Sequence, residues 1–177
     1  MSLLDYRQLG YYSSWTECSR DDSHNVSMIV NENQVVNFDM VKTRYLNDLG
    51  LSEESAASVD ALGEDSEGHV YLIEFKNGDI NQDEIRNKVF ESILIYNDIT
   101  SSSLKDTREK MDFILVYNSE RKKYQPLQLK AMHLARIGKC ACPYYGLDKY
   151  HGFCVKQAYM VDADHFTNKI LGKLHCR

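Results

Sequence analysis

The chain has 177 residues, 43% of them hydrophobic and 27% charged, with a formal net charge of −5. That is the composition of an ordinary folded domain with enough length to bury a core, and it excludes a collagen-like, low-complexity or disordered chain. No stretch has the apolar length of a membrane span, Met-Ser-Leu-Leu-Asp-Tyr-Arg lacks the order of a secretory leader, and five cysteines form no disulfide framework, so a cytoplasmic protein with reduced thiols is expected.

In chain order, residues 1–36 give little periodic signal; Tyr11-Tyr12-Ser13-Ser14-Trp15 reads as a strand or a packed aromatic loop. From Asn37 a capped helix is expected, with Phe38, Val41, Tyr45 and Leu49 at helical spacing and Gly50 ending it. Two short strand-like runs follow within residues 58–79. A helix starting near Asp79 or Asn81 then carries Ile85, Val89, Ile93 and Tyr96, with Phe90 and Leu94 widening its apolar face.

After a polar linker, Phe113-Ile114-Leu115-Val116-Tyr117 is apolar on both faces, as in a strand inside a covered sheet. Pro126 suits the first turn of another helix, with Leu127, Ala131 and Leu134 on one face and Gly138 past its end. Residues 139–151 read as a loop, Gly152 to Val161 as a strand, and Asp162 to Leu174 as a closing helix through Phe166 and Ile170. No repeat or linker divides the chain, so one α/β (α+β) domain over residues 1–177 is expected, with a mixed sheet flanked by helices.

The hairpin at residues 58–79 carries the chemistry. Strand side chains alternate, so Glu74 and Lys76 share a face while Ile73 and Phe75 take the other. A three-residue loop, Ser66-Glu67-Gly68, with Gly68 left-handed, pairs Asp65 with His69, Leu62 with Leu72 and Asp60 with Glu74. A slip of one residue would separate the two acids. Facing carboxylates repel unless a cation lies between them, and carboxylate, water and phosphate oxygens are the ligands Mg²⁺ prefers. Lys76 reaches the same place and would orient a water or stabilise charge growing on phosphorus. The alternative is a solvent-facing Glu–Lys edge with Asp60 in a turn.

Asp60, a short hairpin, then Glu74-Phe75-Lys76 resembles the motif of the PD-(D/E)XK nuclease superfamily, although Val59 stands where that family often has proline. The resemblance implies a restriction-endonuclease-like core over about residues 37–118, with residues 119–177 adding a strand and helices. It implies a Mg²⁺- or Mn²⁺-dependent endonuclease-like hydrolase of nucleic acid, most simply DNA, with Asp60 and Glu74 as metal ligands and Lys76 as the catalytic lysine. The following helix often adds a polar residue, for which Lys88, beside Glu91 and Ser92, is the candidate. The family's further acid, from the preceding helix, could be Asp48, Glu53 or Glu54. Small members are often homodimers. The competing expectation is a nuclease-fold binding module without activity, its charged trio retained as a structural network.

Charge is polarised along the chain. Residues 1–100 hold 19 acids and 7 bases, a balance of −12, and residues 101–177 hold 7 acids and 14 bases, a balance of +7. Lys105, Arg108, Lys110, Arg121-Lys122-Lys123, Lys130, Arg136 and Lys139 could bring a positive surface to a phosphate backbone, or simply be solvated. An iron–sulfur cluster including Cys18, or a zinc site of Cys140, Cys142, His151 and Cys154, is a minor alternative to free thiols. The six histidines, His24 among them, form no i, i+4 pair and read as surface or loop residues.

Overall fold

Strand β7 (Met111–Tyr117) is buried along its whole length. Hydrophobic residues on both of its faces demand cover on both sides, and neighbouring strands flank it. The computed structural model describes residues 11–174. In it, β7 pairs in parallel with β6 (Val70–Lys76) on one side and β8 (Gln157–Asp162) on the other. Antiparallel strands continue from β6 through β5 (Ala61–Glu64) and β4 (Gln34–Asn37) to β1 (Tyr12–Ser14). The expected mixed sheet is therefore six-stranded, and one hydrophobic core joins it to the flanking helices.

The turn chemistry of the β5–β6 hairpin sets its register. Gly68 has φ +81° and its N–H donates to Asp65 O, while Asp65 Oδ1 accepts from Glu67 N and His69 N. Leu62 then faces Leu72 and Ala61 faces Ile73, the register read from the loop.

The helices obey their caps more closely than their predicted faces. In α2 (Phe38–Asp48), Asn37 accepts from Met40 N and Phe38 and Val41 are buried, but Leu46 is buried where Leu49 was expected. Helix α3 (Gln82–Thr100), capped by Asn81 and carrying the crossover from β6 towards β7, buries Ile85, Val89 and Ile93. Leu94 does not widen that face: nine residues from Ile85 it lies about 180° around the helix and is exposed. The charged segment before β7 is a helix, α4 (Leu104–Lys110), closed by a reciprocal Ser103–Asp106 capping box.

In α5 (Pro126–Arg136) the buried residues are Met132 and Ala135, whereas Leu127 is exposed. The expected strand from Gly152 begins only at Gln157, because residues 150–155 close a tight turn with Gly152 at φ +68°. The expected closing helix is broken into a single α turn, α6 (Ala163–His165), a π turn over 166–170 and a 3₁₀ turn over 171–173. Phe166 anchors it, packing edge-on to Trp15 and Phe75.

The region that gave no periodic signal contains β1, a turn of helix α1 (Trp15–Cys18), and a small hairpin of β2 (Arg20–Asp21) and β3 (Val26–Ser27). These strands are too short for alternation to register. Among the described residues no helix is long and apolar enough to cross a membrane.

Candidate active site

The site lies at the end of β6 where Lys76 emerges. Asp60 stands just before β5. Its N–H donates to Ile73 O, and its own carbonyl accepts from Phe38 N. Asp60 Oδ2 accepts from Phe75 N at 2.6 Å, so a carboxylate takes the place of the next backbone rung in the ladder. Glu74 projects from the same end of β6, its side chain 1% exposed.

Two ammonium groups meet these acids. Lys88 Nζ lies 2.7 Å from Glu74 Oε1 and 3.5 Å from Asp60 Oδ1, bridging the pair. Lys76 Nζ lies 3.4 Å from Glu74 Oε1 and also pairs with Glu84 in the first turn of α3. Glu74 Oε2 is buried and has no hydrogen-bond partner. The structure thus brings Asp60, Glu74, Lys76 and Lys88 together.

Helix α3 does more than supply Lys88. Ser92 Oγ accepts from Val59 N at 2.9 Å, and Glu91 Oε2 accepts from Ala57 N at 2.5 Å. These two side chains pin the extended segment that delivers Asp60. They hold backbone rather than line the cleft.

Asp48, Glu53 and Glu54 do not line the cleft. Asp48 is ion-paired with Arg44 at 3.0 Å, and Glu53 and Glu54 are exposed on a 3₁₀ turn. Asp39, in the first turn of α2, is the acid whose charge acts on both Asp60 and Lys88, and it accepts a hydrogen bond from Ser58 Oγ at 2.5 Å. In the sequence Asp39 looks like any acid favouring a helix N-terminus, which is why it passes unnoticed. Its proximity arises only when residues 57–60 fold back across the start of α2.

Burial dominates the titration of the acids. It pushes the Asp60 carboxyl up, against the opposing pull of Lys88 and the Phe75 N–H. Burial also pushes Glu74 up, and the neighbouring Asp60 charge adds to the effect. For Lys88 burial works against the charged form, but Glu74 and Asp60 outweigh it and hold the ammonium above its ordinary range. Asp39, Asp60, Glu74 and Glu84 face Lys42, Lys76 and Lys88, a formal excess of one negative charge.

Asp60 and Glu74 are the side chains here that could hold a divalent cation. An ammonium already spans the two carboxylates, and one oxygen of Glu74 lacks any partner. Among the described residues no group of three or more His, Cys, Asp or Glu side chains is placed to hold a metal ion. Two carboxylates completed by water and phosphate oxygens suit Mg²⁺, which keeps part of its hydration shell.

The four side chains lie in a cleft of about 380 Å³ whose other wall is the β2–β3 hairpin, with Asp21 and His24 at its lip. The basic residues divide between the two ends of the sheet. Because β6 and β7 are parallel, α4 with Lys105, Arg108 and Lys110 precedes β7 at the end remote from the site. Arg121-Lys122-Lys123 follow β7 at the near end, and Lys122 Nζ lies 3.6 Å from Asp79 on the cleft rim. Cys140 is exposed and Cys142 buried, while the Cys154 thiol faces Tyr150 O; all three, with Cys18, are free.

Compared with protein-family models, curated proteins and solved structures, the chain matches none of them.

Proposed function

We propose that this protein is a Mg²⁺- or Mn²⁺-dependent phosphodiesterase acting on nucleic acid, most simply a DNA endonuclease of the PD-(D/E)XK type. The observation that carries the proposal is the convergence of Asp60, just before β5, and Glu74, on β6, with Lys76 and Lys88 in one cleft. The order of elements supports it too: a helix, an antiparallel hairpin, a helix and a parallel strand, as the resemblance implies.

Asp60 and Glu74 would hold the ion. When bound, the ion supplies positive charge opposite the phosphoryl oxygens and makes a neighbouring water more acidic. Asp60 is aimed by its bond to the Phe75 N–H, and Glu74 by its place in the sheet, so both donors are rigid before substrate arrives. Lys76 Nζ, turning from Glu84, donates hydrogen bonds to an attacking water or to the oxygens on which charge grows. Lys88 limits repulsion between the acids while the cation is absent. Arg121-Lys122-Lys123 would carry the backbone contacts, with little reading of bases.

The test is cleavage of plasmid DNA and of RNA by the purified chain with Mn²⁺, Mg²⁺ or EDTA. Asp60→Asn, which keeps an acceptor for the Phe75 N–H, and Lys76→Met should each abolish metal-dependent cleavage while remaining folded. Equal activity in wild type and either variant would defeat the proposal.

A second reading has its own observation. Lys88 already bridges the acid pair, as in a purely structural charge network inside a binding module. That reading expects no cleavage with any divalent ion and no rise in melting temperature on adding one.

A further inference from the structure

The hairpin of β2 and β3 lines the same cleft as the acid pair, and the chemistry above leaves it without a role. Its centre is Asp21, engaged from several directions. Ser23 Oγ donates to Oδ1 at 2.5 Å and Ser23 N to the same atom at 3.1 Å. Asn77 Nδ2 donates to Oδ2 at 2.9 Å, and His24 Nδ1 lies 2.7 Å from that oxygen.

The Ser23 bonds are those of an ordinary turn. The Asn77 bond is different. It crosses 56 residues to the residue directly after Lys76, and Asn77 is itself buried and fixed by Asn118 Nδ2 at 2.8 Å. The His24 ring is thereby tied, through Asp21 and Asn77, to the strand that presents Glu74 and Lys76.

With Nδ1 turned to Asp21, Nε2 is the ring nitrogen left for a ligand in the cleft, and the side chain is 48% exposed. The bonds from Ser23, Asn77 and His24 hold the Asp21 carboxyl far below its usual range, so it faces the ring as an anion. An aspartate on one imidazole nitrogen fixes the tautomer and the orientation of the ring.

We propose that His24, oriented by Asp21, is the acid that protonates the leaving 3′ oxygen of the phosphodiester. This rests on the hydrolytic function proposed above and adds a residue to it. Both lysines are held at the carboxylates, and an alkoxide leaves slowly unless a proton meets it. The oxygen of the attacking water bonds to phosphorus and its proton passes to solvent. The bond from phosphorus to the 3′ oxygen breaks with its electron pair on oxygen, and that oxygen takes the Nε2 proton. Solvent returns a proton to the ring.

The test uses a duplex with the bond cut by the wild type mapped, and the same duplex with sulfur replacing the bridging 3′ oxygen at that bond. A thiolate needs no proton to leave. His24→Gln should slow cleavage of the ordinary duplex about 100-fold, within the range for loss of a general acid, and cleave the sulfur-bridged duplex at close to the wild-type rate. Asp21→Asn should shift the two rates in the same sense, and melting curves confirm that both variants are folded. Equal slowing on both duplexes, or no slowing on either, overturns the assignment while leaving the hydrolytic function standing. A wild type that cuts neither substrate overturns both together.

Discussion

At the scale of single residues, Glu74 is the most exposed to its circumstances: wholly buried, beside Asp60, with one oxygen unpartnered. Its carboxyl is pushed above the ordinary range, so the folded state holds a proton that the unfolded state gives up. Without divalent ions, the stability linked to this group is fully present below the ordinary glutamate range and is lost as pH rises through the raised value. Melting temperature should therefore fall with rising pH in EDTA, and Glu74→Gln should flatten that fall. Saturating Mn²⁺ should oppose it, because a bound cation favours the ionised carboxylates. Lys88 makes the complementary prediction. Lys88→Met removes the ammonium between buried Glu74 and half-buried Asp60, and should lower the melting temperature in EDTA while making Mn²⁺ binding tighter by calorimetry. Weaker binding in that variant would mean that Lys88 does not share the cation's place.

At the scale of elements, α3 acts as a clamp on the segment before β5. Removing the Ser92 hydroxyl strands the buried Val59 N–H, which costs about 1–3 kcal/mol. Ser92→Ala should show that loss in chemical denaturation, together with slower cleavage because Asp60 is no longer fixed. How far the sequence discloses these elements follows from how local their causes are. The hairpin register was legible because a left-handed glycine, an aspartate turn and alternating side chains all act within a dozen residues. Lys88 could be chosen because the resemblance asks for a polar residue from this helix and helical spacing sets Lys88, Glu91 and Ser92 on one side of it. Asp39 could not be found that way, since its proximity to Asp60 depends on a chain reversal with no local signature. The face of α5 was misjudged for a similar reason: Leu127 is apolar but lies at the exposed start of the helix, and contact with β8 selects Met132 and Ala135. The β2–β3 hairpin is invisible in sequence because two-residue strands carry no period.

At the scale of the whole molecule, the parallel run of β6, β7 and β8 gives the sheet two unlike ends. One end holds the acid pair, the cleft and Arg121-Lys122-Lys123, and the other holds α4 with its own bases. The +7 balance of residues 101–177 is therefore no single electrostatic face. If nucleic acid is bound over the cleft, replacing Arg121, Lys122 and Lys123 together by alanine should weaken binding and flatten its salt dependence, because fewer counterions are released. The same change at Lys105, Arg108 and Lys110 should do little. Fluorescence anisotropy across a salt series checks both, and an equal loss from the two triplets would refute the polarity of binding.

The Phe75 amide hangs on Asp60 as a beam hangs on a bracket. If the chain is the enzyme proposed, a descendant that gave up that chemistry would still need an oxygen there to keep its hairpin closed, so aspartate or asparagine would persist. Lys76 has no backbone duty of that kind. Its loss, rather than the loss of the aspartate, is the mark by which a retired copy would be told from a working one.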